Sequence, residues 1–279
     1  MRKGRWVRYL WAVTFVAGCA GKPGPEVAMR APPQPKRRSA FMRELGTSVQ
    51  GRPITLATFP GVGQPVLILG GIHGNEPTSA VVARKLIDHL ELHPHNGAGR
   101  TVVILPEANP DGLLTGRRTN ANGVDVNRNF PARNWRRFKH PLFDNGPSPA
   151  SEPETQAILA AIEEMRPGRI VSIHSIDGNK HCNNYDGPAE SLAALMGRFN
   201  GYPVRPTMGY PTPGSLGSWA GIDKRIPIVT LELPRNVDSE TAWEQNRDAL
   251  LAAISAEAPA KGSTGAPPAI SAGHSPAGD

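Results

Sequence analysis

Residues 65–77 read PVLILGGIHGNEP. The run 65–71 is apolar without alternation, the pattern of a strand covered on both faces rather than one with a wet face. It ends in two glycines. An imidazole, His73, and a carboxylate, Glu76, follow three residues apart in what must be a tight turn. Pro77 then opens a helical pattern over Pro77–Leu92, with Val81, Val82, Leu86, Ile87 and Leu90 as its apolar stripe.

Working outward, the same kind of buried run recurs at 101–106 (TVVILP), 169–174 (RIVSIH) and 226–233 (IPIVTLEL). Helical patterns fall at 151–165, 189–199 and 239–255, the first opening with Ser151 and Glu154 at capping-box spacing. Strands alternating with helices predict an α/β fold: a mixed, largely parallel central sheet flanked by helices, in a single catalytic domain. Ligands in such folds collect at the strand ends. Three of the four runs lead into a candidate polar residue.

The ends of the chain read differently. Residues 1–8 (MRKGRWVR) are basic, and an uncharged, mostly apolar stretch from Tyr9 reaches Val16-Ala17-Gly18-Cys19. This is the layout of a signal peptide over 1–18. VAGC resembles the bacterial lipobox, with Cys19 as the lipidation site. Several acyl chains would give a stable membrane anchor, and Ala20 after the cysteine fits the outer membrane. Residues 20–40 hold five prolines and five lysines or arginines and read as a tether, so that 19–40 link the anchor to the domain. In 258–279, Ala, Pro, Gly, Ser and Thr fill 18 of 22 positions, too few large apolar groups for a core. The expected domains are therefore 1–18, 19–40, a catalytic unit at 41–257 and a disordered tail at 258–279.

Of 279 residues, 30 are glycine and 29 proline, and two cysteines exclude a disulfide-rich scaffold. The net charge is +7, but Arg2, Lys3, Arg5 and Arg8 carry four of those charges within 1–18, leaving +3. No nucleic-acid partner is expected from so small a balance.

His73 and Glu76 can converge on one metal ion, and catalytic zinc takes three protein ligands plus water. His174, at the end of RIVSIH, is the third candidate. Each has an ordinary reading when taken singly: H-x-x-E recurs by chance, and a lone histidine is commonly a satisfied core residue. Glu232 lies inside the otherwise apolar IPIVTLELP, where a carboxylate is costly unless paired or functional. Near a metal-bound water it could serve as general base. Between them runs NPDG (109–112), then GRRTNANGVDVNRNFP (116–131), a polar segment able to hold hydrogen-bonding groups. Its arginines could stabilise an oxyanion and fork a carboxylate.

The ordered set HxxE, NPDG, GVDxNRNF, a histidine after a strand, and TLEL resembles the zinc metallocarboxypeptidases of the carboxypeptidase A superfamily. The likeness extends to the bacterial murein peptide amidases through GGIHGNEP, TPGSLGSW and PIVTLELP. It implies one Zn2+ per chain on His73, Glu76 and His174, with Glu232 as base. It also implies Arg118 (or the adjacent Arg117) at the oxyanion, Asn127 and Arg128 on the terminal carboxylate, and Tyr210 as a mobile tyrosine over the substrate. The implied reaction is hydrolysis of an amide bond next to a C-terminal residue, γ-D-glutamyl-diaminopimelate in peptidoglycan-derived peptides. A generic metallocarboxypeptidase, an acyl-amino-acid deacylase and an inactive cell-wall-binding lipoprotein are the alternatives. Expected partners are the peptide or muropeptide and the membrane through the lipid anchor, with no protein partner. The export signal places such an enzyme on the periplasmic face of a membrane. His89, His93 and His95 lie close together but read as a polar helix end.

Overall fold

A computed structural model describes residues 39–257 apart from 98, 141 and 142. The signal peptide, Cys19, most of the tether and the tail 258–279 lie outside the described residues.

The strands are β1 (Phe41–Thr47), β2 (Pro53–Phe59), β3 (Val62–Leu69), β4 (Arg100–Leu105), β5 (Lys139–His140), β6 (Phe143–Asp144), β7 (Arg169–Ile176), β8 (Cys182–Asp186), β9 (Val204–Arg205) and β10 (Ile228–Pro234). The helices are α1 (Pro77–Leu92), α2 (Pro110–Thr115), α3 (Pro153–Met165), α4 (Glu190–Asn200) and α5 (Ser239–Ser255). Eight strands form one sheet in the order β1-β2-β4-β3-β7-β10-β8-β9, and β5 and β6 pair separately. The four apolar runs of the sequence are its centre, β4-β3-β7-β10, joined throughout by parallel ladders. Antiparallel pairings β1-β2, β2-β4 and β10-β8 flank it, so the sheet is mixed as expected.

Two apolar layers cover the sheet. On one face Val66, Ile68, Val171 and Val229 pack with α1, α4 and α5 through Val82, Leu86, Met196 and Leu250. On the other Leu67, Leu69, Ile170 and Ile228 pack with Ile158 and Ile162 of α3 and with Phe130 and Trp219. Each fully buried Leu, Ile or Val contributes about 1.5–3 kcal/mol. That double burial explains why these strands lack alternation.

One local expectation fails. Ser151 does not cap α3: Glu152 occupies the N-cap without a side-chain bond, and Pro153 starts the helix. Ser151 Oγ instead donates to Glu152 Oε1 at 2.7 Å, while Glu154 Oε1 accepts from the Val49 backbone at 3.1 Å. A neighbouring partner for Ser151 and a long-range one for Glu154 have displaced the local box.

The parallel centre decides where chemistry can gather. The chain leaves β3 at Leu69 and reaches His73 four residues later. His174 lies in β7, and the ladder sets Glu232 of β10 directly beside it. All three strands point their C-terminal ends to one edge, so residues about 100 and 160 positions apart meet there.

Candidate metal centre and active site

Glu76 stands at the N-cap of α1, yet its side chain makes no cap bond. Its carboxylate is committed elsewhere. Oε1 lies 2.9 Å from His73 Nδ1, and Oε2 lies 3.0 Å from His174 Nδ1 and 3.0 Å from the Ser175 backbone N–H. The two histidine Nδ1 atoms are 3.2 Å apart. The turn can be this tight because Gly74 packs on the backbone of α2: a Cβ there would lie 1.8 Å from the carbonyl carbon of Gly112. Asn109 secures α2 in turn by accepting from the Gly112 N–H at 2.9 Å. NPDG is thus the platform under H-x-x-E.

His73, Glu76 and His174 are all buried, with ligand atoms within 4.8 Å of one another, and they are the one such group among the described residues. Asp125 lies behind His73, its Oδ1 3.0 Å from Nε2. Asp125 is fully buried. Burial works against its charge, but His73 and Arg118 more than offset this and hold its pKa far below the ordinary value. A carboxylate there requires the proton on Nε2, which turns the lone pair of Nδ1 toward Glu76 and His174. Two imidazole nitrogens and a carboxylate, buried and aimed at one point, fit a divalent cation of zinc's preference.

Burial also opposes ionisation of Glu76, yet His73 and His174 outweigh it and depress its pKa well below the usual range. Glu232 behaves oppositely. Burial and the charge of Glu76 raise its pKa to about 7, against the pull of His174, Arg118 and Arg235. Two carboxylates in one site are driven apart, one permanently charged and one poised to exchange a proton.

These groups line one cavity, open to solvent. Arg118 reaches it with its Nε and Nη2 each 2.9 Å from Asp125 Oδ2, and its Nη1 3.6 Å from Glu76. Arg117 is exposed outside the cavity, so of the two arginines the geometry brings Arg118 in. Asn127 Oδ1 accepts from the Leu216 N–H at 2.9 Å, and its Nδ2 comes to 3.5 Å from His174 Nε2. Arg128 is buried, its Nη1 donating to the Asn127 carbonyl at 2.7 Å. Tyr210 lines the mouth with half its surface exposed. Every described residue singled out in the sequence for the site, apart from Arg117, lines this cavity.

Three residues not singled out in the sequence belong to the site, Asp125 behind His73 and Arg235 and Asp186 in the cavity lining. Asp125 sits within the GVDVN motif, where its spacing of two from Asn127 was the available signal. Arg235 follows Glu232 by three and places Nη2 3.5 Å from Glu76 Oε1 and 3.2 Å from the Ser175 carbonyl. Asp186 ends the polar strand β8, which has no apolar pattern to announce it. Cys182 is buried opposite Glu232, its Sγ 3.8 Å from Met208 Sδ, and burial followed by Glu232 pushes its pKa up to about 11. It packs as a neutral thiol. The His89 and His93 rings meet at 4.6 Å in a tilted pair, and Asn96 meets His89 at 2.8 Å, at the end of α1 as expected.

Comparison with known proteins agrees with this geometry. The zinc carboxypeptidase family profile matches residues 35–186. Murein peptide amidase A of Escherichia coli (strain K12) is 34% identical over 232 residues, covering 75% of this chain and 88% of that protein. Murein peptide amidase A of Vibrio campbellii is 33% identical, covering 78% and 90%. The crystal structure of murein-tripeptide amidase from Escherichia coli O157 superposes with a TM-score of 0.63 at 31% identity, covering 79% of this chain and 95% of that one.

Proposed function

The chain belongs to the zinc carboxypeptidase family and is a hydrolase, and from that premise we propose that it cleaves the γ-D-glutamyl-diaminopimelate bond of peptidoglycan-derived peptides. The observation that carries the reading is the convergence of His73, Glu76 and His174 in one cavity with Glu232, Arg118, Asn127 and Arg128. The names of the bacterial relatives support the muropeptide over an ordinary peptide.

His73, Glu76 and His174 would hold one zinc ion per chain. Bound there, zinc supplies Lewis acidity for water and for the scissile carbonyl. Glu232 takes the proton of the attacking water, and a carboxyl titrating near neutrality can return it to the leaving nitrogen. Arg118, held by Asp125, faces the oxygen on which negative charge develops. Arg128 and Asn127 receive the free carboxylate one residue beyond the bond, which makes the enzyme an exopeptidase. Tyr210 closes over the substrate from the mouth.

The enzyme is an exported lipoprotein on this reading. Cys19, lipidated, holds it at the periplasmic face of a membrane, with outer-membrane placement favoured by Ala20. The basic n-region, the apolar run and VAGC support it. Mass spectrometry of the mature N-terminus should find acylated Cys19, and an intact Met1 or a free Cys19 thiol refutes it.

The activity is tested on purified, zinc-loaded enzyme with L-Ala-γ-D-Glu-meso-diaminopimelate against ordinary C-terminal Phe and Lys peptides. Faster release of diaminopimelate is expected. His73→Ala and His174→Ala should lose both zinc and turnover. If the ordinary peptides are cut faster, the enzyme is a generic metallocarboxypeptidase.

A further inference from the structure

We propose that the end of the sheet opposite the active site docks on a bilayer containing anionic phospholipid. Phe41, Met42, Val62 and Leu92 enter the interface there, with Lys36, Arg37 and Arg38 beside them, and the catalytic cavity is turned away from the lipid. This contact is separate from the acyl chains proposed at Cys19 and rests on that reading only for the presence of a membrane nearby.

Topology gathers the four apolar residues. The metal centre lies where β3, β7 and β10 end, so the opposite end of the sheet is where they begin. Val62 is the first residue of β3 and pairs with Arg100, the first of β4. Phe41 opens β1, the edge strand, and pairs with Thr58 at the end of β2, one residue from the Phe59–Val102 pair. Helix α1 leaves the metal centre at Glu76 and finishes at this same end: Glu91 Oε1 in its last turn accepts from the Ala40 N–H at 3.1 Å. Leu92 follows directly. Val62 is 76% exposed, Phe41 68%, Met42 58% and Leu92 42%, so apolar surface from three elements faces solvent on one side of the molecule. Such clustering marks an interaction surface, where scattered residues would not. Five residue steps of β7, from Arg169 to His174, put about 16 Å of sheet between this end and the metal centre.

Charge decides the partner. Lys36, Arg37 and Arg38 precede the exposed Phe41-Met42 pair by three residues in the sequence. Arg100 and the exposed Arg166, which ends α3 just before β7, lie at the same end and pair with no acid among the described residues. The acids of that end of α3 are Glu163 and Glu164, and Arg43 neutralises Glu164 at 2.9 Å. Cations flanking apolar side chains suit a negatively charged lipid surface, where each basic residue and each buried apolar group adds to binding. A second copy paired along β1 fits less well. The strand continues as Arg43-Glu44, both exposed, and charged residues on an edge strand oppose pairing.

The test uses the mature chain 19–279, zinc-loaded and carrying Cys19→Ser, so that no acyl chain contributes. It is sedimented with vesicles of phosphatidylethanolamine and phosphatidylglycerol in equal parts, or of phosphatidylcholine alone. Binding to the anionic vesicles should be at least roughly 10-fold tighter and should weaken with salt. Replacing Lys36, Arg37 and Arg38 by Gln should cost about 5-fold for each charge removed. Phe41→Ser with Met42→Ser should cost roughly 10-fold, while hydrolysis of a soluble tripeptide stays at the wild-type rate. A fluorophore on Val62→Cys should be quenched by nitroxide-labelled lipid. One on Leu114→Cys, exposed on α2 at the catalytic end, should not. Equal binding to both vesicles, unchanged binding by the two sets of variants, or quenching at 114 instead of 62 overturns the proposal. So does light scattering that finds a dimer dissociated by Phe41→Ser, since a second copy would then cover this end. If Cys19 proves unacylated in cells while vesicle binding holds, it is the lipoprotein reading that has failed.

Discussion

Asp125 and Arg118 are joined by two contacts of 2.9 Å from the guanidinium to Oδ2, while Oδ1 of the same carboxylate holds His73. One fully buried acid thus orients both an imidazole of the candidate metal centre and the arginine proposed to face the developing oxyanion. It also accepts from the Asn127 backbone N–H at 2.9 Å, fixing the start of the proposed carboxylate clamp.

Replacing Asp125 by Asn keeps the shape but loses the charge that demands a proton on His73 Nε2. Zinc affinity should fall about 10–100-fold, the range for lost outer-shell partners. Competition with a chromophoric chelator measures it. Wild-type affinity would show that His73 holds its tautomer unaided.

Glu232→Gln should retain zinc and fold while turnover drops roughly 10²–10⁴-fold, the contribution of a positioned general base. The unmodified enzyme should also show an acid limb. The base acts deprotonated, and burial raises its pKa to about 7. Activity is present above that pH and lost as the pH falls through it. Bound zinc lowers the value, so the limb in kcat/KM should lie at or below about 7. A profile flat from pH 4 to 8, or a Gln variant with normal kcat, would assign the proton transfer to another group.

Arg128→Lys should weaken kcat/KM by about 2–4 kcal/mol on substrates with a free terminal carboxylate, as for breaking a buried charge pair. Amidating that carboxylate in the substrate should cost the wild type as much. Equal cleavage of acid and amide would make the enzyme an endopeptidase.

Gly74→Ala tests the platform. The added methyl would meet the Gly112 backbone at 1.8 Å, and neither segment can yield without moving His73 or Asn109. Destabilisation of about 1–3 kcal/mol is expected, with loss of stoichiometric zinc in the folded fraction. Chemical denaturation and metal analysis report the two effects separately.

How much was legible in the sequence varies by element. The centre of the sheet was, because strands buried on both faces must be apolar at successive positions, and 65–71 and 226–233 carry that pattern locally. Pro77 and the stripe behind it marked α1 to its last residue. The edges were not: β1 and β2 are partly wet, and β8 reads CNNYD, so none of the three offers a contiguous apolar run.

The site divides along the same line. His73, Glu76, His174 and Glu232 stood out because polar groups at the ends of apolar strands are conspicuous, and the ordered motifs tied them to a family. Where Asp125 and Asp186 sit could be decided only by the fold. Asp125 works on His73 across 52 positions, and Asp186 lies in a space opened by Gly217 and Gly221. Periodicity records which face of a strand is buried. It carries no record of which distant side chain fills the space opposite, since that follows from strand register and from the closeness of backbones brought together by the packed sheet.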